Sequence, residues 1–422
     1  MTDQNTGAGQ IITCTIKGTD VRGVINQIDY FESIYDQSAS CTIIMNDASD
    51  FSQKANLVNG EDVEIAFAGR SGSNPIRMKF EVSVVGDRQR VKDKQDMYRI
   101  NCVSSEMASN NTKAVDKAYK DMKLSDMVKQ VHEVYTKDSK TLKKDLVTNE
   151  ESDGKQNYVG TGRNPTDAIT WAGREAKSSK QKASNYVYYQ DRDGYHFKTI
   201  ASMLEGSDAM TFSYAQQNTG QGGDASKRII SFDQKQDVHG LESSDNGAES
   251  HHQYIIDPHT MKIDSVPGGK RDGKGDGPFV GKKQIVFDDE TKGSTPGYWG
   301  KLFSVKIAPG GVGKGGGQAS KYVQDRSPKD AENKRTVGEH GAQSSVANQL
   351  DNLMMNVLVP GDTSLKPGIK VNLQIPSNQE SNELDNRSGS FLVTSVRHII
   401  YKDDKDIKYN TVLECKTDSH SK

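Results

Sequence analysis

The chain has 422 residues, with 55 Lys and Arg against 57 Asp and Glu and a formal net charge of −2. That balance excludes the strongly basic surface of a nucleic-acid glove or a membrane-surface protein, while the length allows about three domains. Only 33% of residues are hydrophobic and the mean hydropathy is −0.76, so long polar loops, an open shape or surfaces completed by partners are expected.

The opening stretch, MTDQNTGAGQ, is polar and lacks the apolar core of a secretory leader. No run is apolar enough to span a bilayer, so membrane insertion is not expected. Cys14, Cys41, Cys102 and Cys415 lie far apart without a Cys-x-x-Cys. Three stand in strand-like segments, where a free thiol acts as a small buried hydrophobe. The expectation is a protein folded in cytosol without a disulfide framework.

Residues 10–103 read as strands. QIITCTIKG alternates Ile11, Thr13 and Thr15 against Ile12, Cys14 and Ile16. ASCTIIMND follows, and NGEDVEIAFAG puts Val63, Ile65 and Phe67 on one face after an Asn59-Gly60 turn. MKFEVSVVGD and DMYRINCVS complete a pattern that predicts a small antiparallel barrel or sandwich. The period then changes. In KLSDMVKQVHEVY, Leu124, Met127, Val128, Val131, Val134 and Tyr135 recur at helical spacing, with Ser125 placed to cap the start. NPTDAITWAGREAKS predicts a second helix, with Asn164 as N-cap, Pro165 at the first position, and Ile169, Ala172 and Ala176 inward.

That helix runs into NYVYYQDRDGYHFKTI, Asn185 to Ile200, the densest aromatic run in the chain. Tyr, Val and Phe favour a pleated surface, and Asp193-Gly194 supplies a turn. Tyr186 and Tyr188 share one face of the first arm, and Tyr195 and Phe197 one face of the second. A single-strand nucleic-acid platform also uses aromatics on a sheet, but it adds a basic groove. Here Asp191 and Asp193 flank Arg192. Beyond the hairpin, MTFSYAQQ and RIISFDQKQDVHG read as strands. Residues 266–345, rich in Gly, Lys, Asp and Ser, read as loops that order on a partner. Short strands return at LMMNVLVPGDTSLKPGIKVNLQIP, SGSFLVTSVRHIIY and NTVLECKTD.

Chemistry-bearing motifs are few. GGKRDGK, Gly268 to Lys274, matches Gly-x-x-x-x-Gly-Lys, but Gly275 stands where a magnesium-binding Ser or Thr belongs. GGVGKGGG, Gly310 to Gly317, is a weaker imitation. His251, His252, Asp257 and His259 cluster without a standard zinc spacing, so a metal there stays open beside a polar loop. Arg174, Lys177, Lys180 and Lys182 form a basic cluster, readable as a phosphate or acidic-partner contact or as a solvated face. No nucleophile motif or singled-out carboxylate pair is present. No catalytic residue, cofactor site or metal site is therefore assigned.

Four stretches resemble the baseplate hub proteins of contractile-tailed phages, whose tube-like fold also occurs in type VI secretion spike hubs. They are CTIIMNDASDF…LVNGEDVEIAF, DMYRINCVSSEMASN with KAYKDMKLSDMVKQV, NPTDAITWAGREA…YVYYQDRDGYHFKTI, and VLVPGDTSLKPGIKVNLQIP…SGSFLVTSVRHIIY. Their order and spacing carry the resemblance, which leaves out residues 215–345. It implies an α+β, mainly β fold of two small antiparallel tube-like β-barrels with an inserted α/β domain. The implied division is 1–116 with 207–240 as the first barrel, 117–206 as the inserted domain, and 241–422 as the second barrel with a Gly-rich insertion at about 266–345. Ile169, Ala172, Tyr186, Tyr188, Tyr195 and Phe197 would then be the core of the inserted domain. The implied function is a non-enzymatic homotrimeric ring that adapts a sixfold tail tube to a threefold central spike, with a lumen for DNA transit. Its partners would be itself, the spike, the tail tube or tube initiator, and baseplate wedge proteins. Its place would be the virion baseplate, after assembly in the host cytoplasm. The competing readings are a hub-associated peptidoglycan hydrolase and a single-strand nucleic-acid-binding barrel protein.

Overall fold

Alternating apolar and polar side chains build most of the molecule. The computed structural model describes residues 7–69, 72, 74–136, 145–181, 185–214, 225–237, 251–257, 261–268, 280, 283–284, 302–307, 350–351, 353–377, 384–403 and 406–420. The architecture is mainly β. The first strands are β1 (Gly7–Ile16), β2 (Thr19–Asp20), β3 (Ile25–Ser33) and β4 (Ser40–Asp47). A short helix α1 (Phe51–Lys54) precedes β5 (Asp62–Gly69), β6 (Ile76–Lys92) and β7 (Gln95–Val103). In β4, Cys41, Ile43 and Met45 are buried, and in β5 Val63, Ile65 and Phe67 are buried on the expected face. β1 departs from simple alternation. Ile11, Cys14 and Ile16 are buried, because a bulge between Ile11 and Thr13 in the pairing with β5 resets the phase.

Next come α2 (Ser105–Asn110), β8 (Ala118–Met122), α3 (Leu124–Val131), β9 (Leu146–Asn149), β10 (Gln156–Val159), α4 (Pro165–Glu175), β11 (Tyr186–Asp191), β12 (Gly194–Thr199) and α5 (Ile200–Leu204). α3 ends in a π-turn at His132–Thr136. The wider turn rotates Val134 out to solvent, where helical spacing had placed it inward, and carries His132 into the interior. Ser125 does not cap α3. It lies inside the first turn, and its N–H donates to Ser152 Oγ. Asn164 holds the N-cap backbone position of α4, but its side chain does not cap. Asn110 supplies the cap, its Oδ1 accepting the Thr166 N–H at 3.1 Å.

The remaining strands are β13 (Met210–Ser213), β14 (Ser231–Asp237), β15 (His251–Asp257), β16 (Lys262–Gly268), β17 (Lys283–Gln284), β18 (Leu302–Ile307), β19 (Leu353–Pro360), β20 (Lys370–Gln374), β21 (Gly389–Asp403), β22 (Asp406–Thr417) and β23 (Ser419–His420). β18 falls inside the stretch read as loops and pairs in parallel with β15. Most of that stretch lies outside the described residues.

Two circuits of strand pairing organise the molecule. The first runs β21-β3-β4-β7-β6-β5-β1-β22, and β22 pairs back to β21. It surrounds a core that includes Ile28, Tyr30, Ile43, Phe67, Phe80, Ile100, Ile400 and Tyr409. The second runs β13-β20-β21-β22-β19-β14, and a bridge between Ser213 and Arg228 links its two ends. Its core includes Phe212, Val357, Val371, Phe391, Val393, Val396, Leu413 and Cys415. The expected division grouped 207–240 with the first 116 residues. β13 and β14 pair instead with β20 and β19, and Phe212 and Ile229 belong to the second core. All four cysteines are buried and free.

The β21–β22 hairpin belongs to both circuits. Val396 faces Leu413 across the pair inside the second core, and Ile400 faces Tyr409 inside the first. Tyr409 also marks the seam where β1 meets β22. A Cβ on Gly9 would lie 2.6 Å from Tyr409 Cβ, and one on Gly361 would lie 2.1 Å from Tyr409 Cγ. Only glycine allows so close an approach to the ring. Gly361→Ala is therefore expected to cost about 3 kcal/mol, as overpacking does, measured as a shift of the urea midpoint at constant slope. An unchanged midpoint would contradict this packing of the seam.

Candidate functional site

The aromatic hairpin is buried on both faces. β11 and β12 pair with Tyr188 opposite Phe197 and Asp191 opposite Gly194. The turn is therefore centred on Arg192-Asp193, one residue earlier than the Asp-Gly signal placed it. Gly194 follows with φ 143°, a conformation that disfavours other residues. Asp191 Oδ1 accepts the N–H groups of Asp193 and Gly194 at 2.8 and 3.2 Å and so closes the turn.

On one face, Tyr186 stacks on Phe197 at 4.6 Å and Tyr188 on Tyr195 at 5.3 Å. These are diagonal cross-strand contacts. Ile169, Ala172, Tyr186, Tyr188, Tyr195 and Phe197 all lie in one buried cluster, which also takes in Val115, Met127, Val131 and Tyr158. Tyr188 OH lies 2.9 Å from His132 Nδ1, which provides for its one polar atom. The face is thus filled by protein, which leaves no stacking platform for bases.

The opposite face carries residues that the aromatic pattern did not single out. Tyr189 stacks on His196 at 5.0 Å and packs with Ile34, Ile200, Met203 and Leu392. His196 Nε2 lies 2.9 Å from Asp191 Oδ1, and its Nδ1 lies 3.1 Å from Thr148 Oγ1. Burial raises the Asp191 pKa, but the hydrogen bond and charge of His196 and the turn N–H of Asp193 outweigh it and hold the carboxyl below its usual value.

The hairpin tip joins both strand circuits. Arg192 Nη2 donates to Ser364 O at 2.8 Å, and Lys366 Nζ pairs with Asp193 Oδ2 at 3.1 Å. Both contacts hold the tip to the loop between β19 and β20. On the other side, the Arg192 N–H donates to Glu32 Oε1 at 2.6 Å, and Tyr30 OH donates to the same oxygen at 2.6 Å. Glu32 is 1% exposed. Burial first, and then the charge of Asp191, push its pKa up to about 8. Nearby His398 is fully buried, with Nδ1 2.7 Å from Tyr409 OH, and burial pushes its pKa down to about 3. Burial thus favours the uncharged form of both side chains. Sequence parity carried a signal for them: Glu32 follows Ile28 and Tyr30 on the inward face of β3, and His398 lies between Val396 and Ile400 on that of β21.

Among the described residues, no group of three or more His, Cys, Asp and Glu is placed to hold a metal ion. His259 and the side chains of His251, His252 and Asp257 lie outside the described residues, as do 269–274 and 310–317. In the basic cluster, Arg174 and Lys180 are exposed, and Lys180 pairs with Glu205 at 3.2 Å. Lys182 is not described. What the arrangement does is mechanical: one hairpin tip ties the helical unit to both strand circuits.

No family model matches the sequence, and no curated protein matches it. Solved structures do. The tail protein from Neisseria meningitidis MC58 superposes with a TM-score of 0.55 at 11% identity, over 98% of this chain and 97% of that one. The 43 kDa tail protein of prophage MuSo2 from Shewanella oneidensis gives a TM-score of 0.55 at 12% identity, over 97% of this chain and 98% of that one. The chain has a phage-tail-protein fold along nearly its whole length.

Deleting either central ring of the hairpin empties a closed core. Tyr188→Ala or Phe197→Ala is expected to lower stability by about 3 kcal/mol. Chemical denaturation of the full chain would measure it, and an unchanged transition would contradict the role of these rings.

Proposed function

We propose that this chain is a structural hub of a contractile-tail baseplate. The observation that carries the reading is the fold shared over nearly the full length with two tail proteins. In this reading the two strand circuits are two tube-like barrels, and the unit from α2 to α5 is the inserted α/β domain. Three chains close into a ring that presents six barrels. One end meets a sixfold tail tube or tube initiator, and the other a threefold central spike. Wedge proteins surround the ring, and DNA passes through the lumen during ejection. The chain assembles in the host cytoplasm, works in the virion baseplate and performs no chemistry. Heterologous contacts between chains close by rotation into such a ring, and strand edges become pairing surfaces there.

Light scattering after gel filtration tests the assembly. The expected mass is about 139 kDa, three times the 46.4 kDa chain. A monomer that stays monomeric on mixing with its spike would contradict the reading.

A further inference from the structure

Glu32 combines three features that its surroundings do not otherwise explain. Its Oε1 accepts two short hydrogen bonds, from Tyr30 OH and from the Arg192 N–H. Its Oε2 is buried and has no hydrogen-bond partner among the described residues. And through the Arg192 N–H it joins β3 to the hairpin tip, which on its other side reaches Ser364, Leu365 and Lys366. A neutral acid suits this geometry, because the proton can sit on Oε2. A carboxylate would leave about half its charge on a buried oxygen to which no described residue donates, which is costly.

Burial and the charge of Asp191 favour the neutral form, and they outweigh the Tyr30 hydroxyl and the Arg192 charge and N–H, which act the other way. Tyr30 shares its strand and inward face. The hairpin tip contributes Asp191, which stays ionised through His196, and Arg192, whose guanidinium is turned toward the carbonyls of Ser364 and Leu365. β21 contributes His398, diagonal to Glu32 in the β3–β21 register and uncharged. β22 contributes Tyr409, and beyond it Asp362. Two carboxylates, Glu32 and Asp191, cannot both be charged in one buried site without strong repulsion.

We propose that Glu32 is a protonation latch: as a neutral acid it holds the hairpin tip against β3, and on losing its proton to water it releases the tip. This does not depend on the trimeric reading. The sign follows from linkage. The carboxyl binds a proton when the tip is closed and loses it when the tip opens to solvent. Closure is therefore favoured at low pH, and the advantage is lost as pH rises toward about 8.

Amide exchange of the segment 189–195 in the full chain, corrected for the intrinsic base-catalysed rate, is the test. Protection is expected to fall by about tenfold per pH unit between about pH 6 and about 8 and then level off. Glu32→Gln keeps the oxygen acceptor and cannot ionise, so its protection should stay flat. A flat wild-type profile, or a variant that falls in parallel, would overturn the latch. Glutamate-labelled infrared difference spectra of the wild type give a readout independent of the variant. A protonated carboxyl band present at pH 7 and lost above about pH 8 supports the latch, and its absence at pH 7 overturns it.

Discussion

The structure depends on one shared hairpin. β21 and β22 run through both strand circuits, so each core is completed by residues a few positions apart on the same pair of strands. Val396 and Leu413 fill one core while Ile400 and Tyr409 fill the other. Neither circuit closes without these strands. The hairpin stands near the end of the chain, yet β3 and β1 must pair with it. Closure therefore joins residue 7 to residue 409, and contacts of such sequence separation form late and slowly. The two cores share the β21–β22 strands and so are covalently joined.

The helical unit is tied to the two circuits by polar contacts as well as apolar ones. Arg192 reaches across to the loop between β19 and β20, Lys366 of that loop reaches back to Asp193, and Glu32 on β3 accepts the Arg192 backbone N–H. Hydrogen bonds of this kind add modest net stability, about 1 kcal/mol each at most. They fix geometry more than they add energy. A docking set by fixed partners gives one orientation of the unit relative to the circuits, where an apolar face alone would tolerate sliding.

Much of the strand content was legible in the sequence because its signal is local. Val63, Ile65 and Phe67 alternate over a few residues, and the aromatic hairpin declares itself by composition. The bulge at Ile11 and the π-turn after Val131 were not legible, because each inserts a single residue whose place is decided by the partner it packs on. The caps show the same limit: Asn110, 54 positions before Asn164, satisfies the helix that Asn164 begins. The placement of β13 and β14 on the second core is a pairing choice between distant strands, which no periodicity encodes. Glu32 and His398 were visible as polar residues of inward parity, but the Arg192 N–H that Glu32 accepts comes from a hairpin 160 positions away, which no local pattern encodes. Among the residues the hairpin pattern did pick out, Tyr186, Tyr188, Tyr195 and Phe197 share a core because their spacing is short. Tyr189 and His196, one position away, face a different cluster.

We propose that this fold serves as an adapter between sixfold and threefold symmetry. Electron cryo-microscopy of the purified full chain, reconstructed without imposed symmetry, tests it most directly. A threefold ring around an open lumen, with six similar β-lobes lining it, is expected. A particle without a lumen, or one with twofold symmetry, would contradict it.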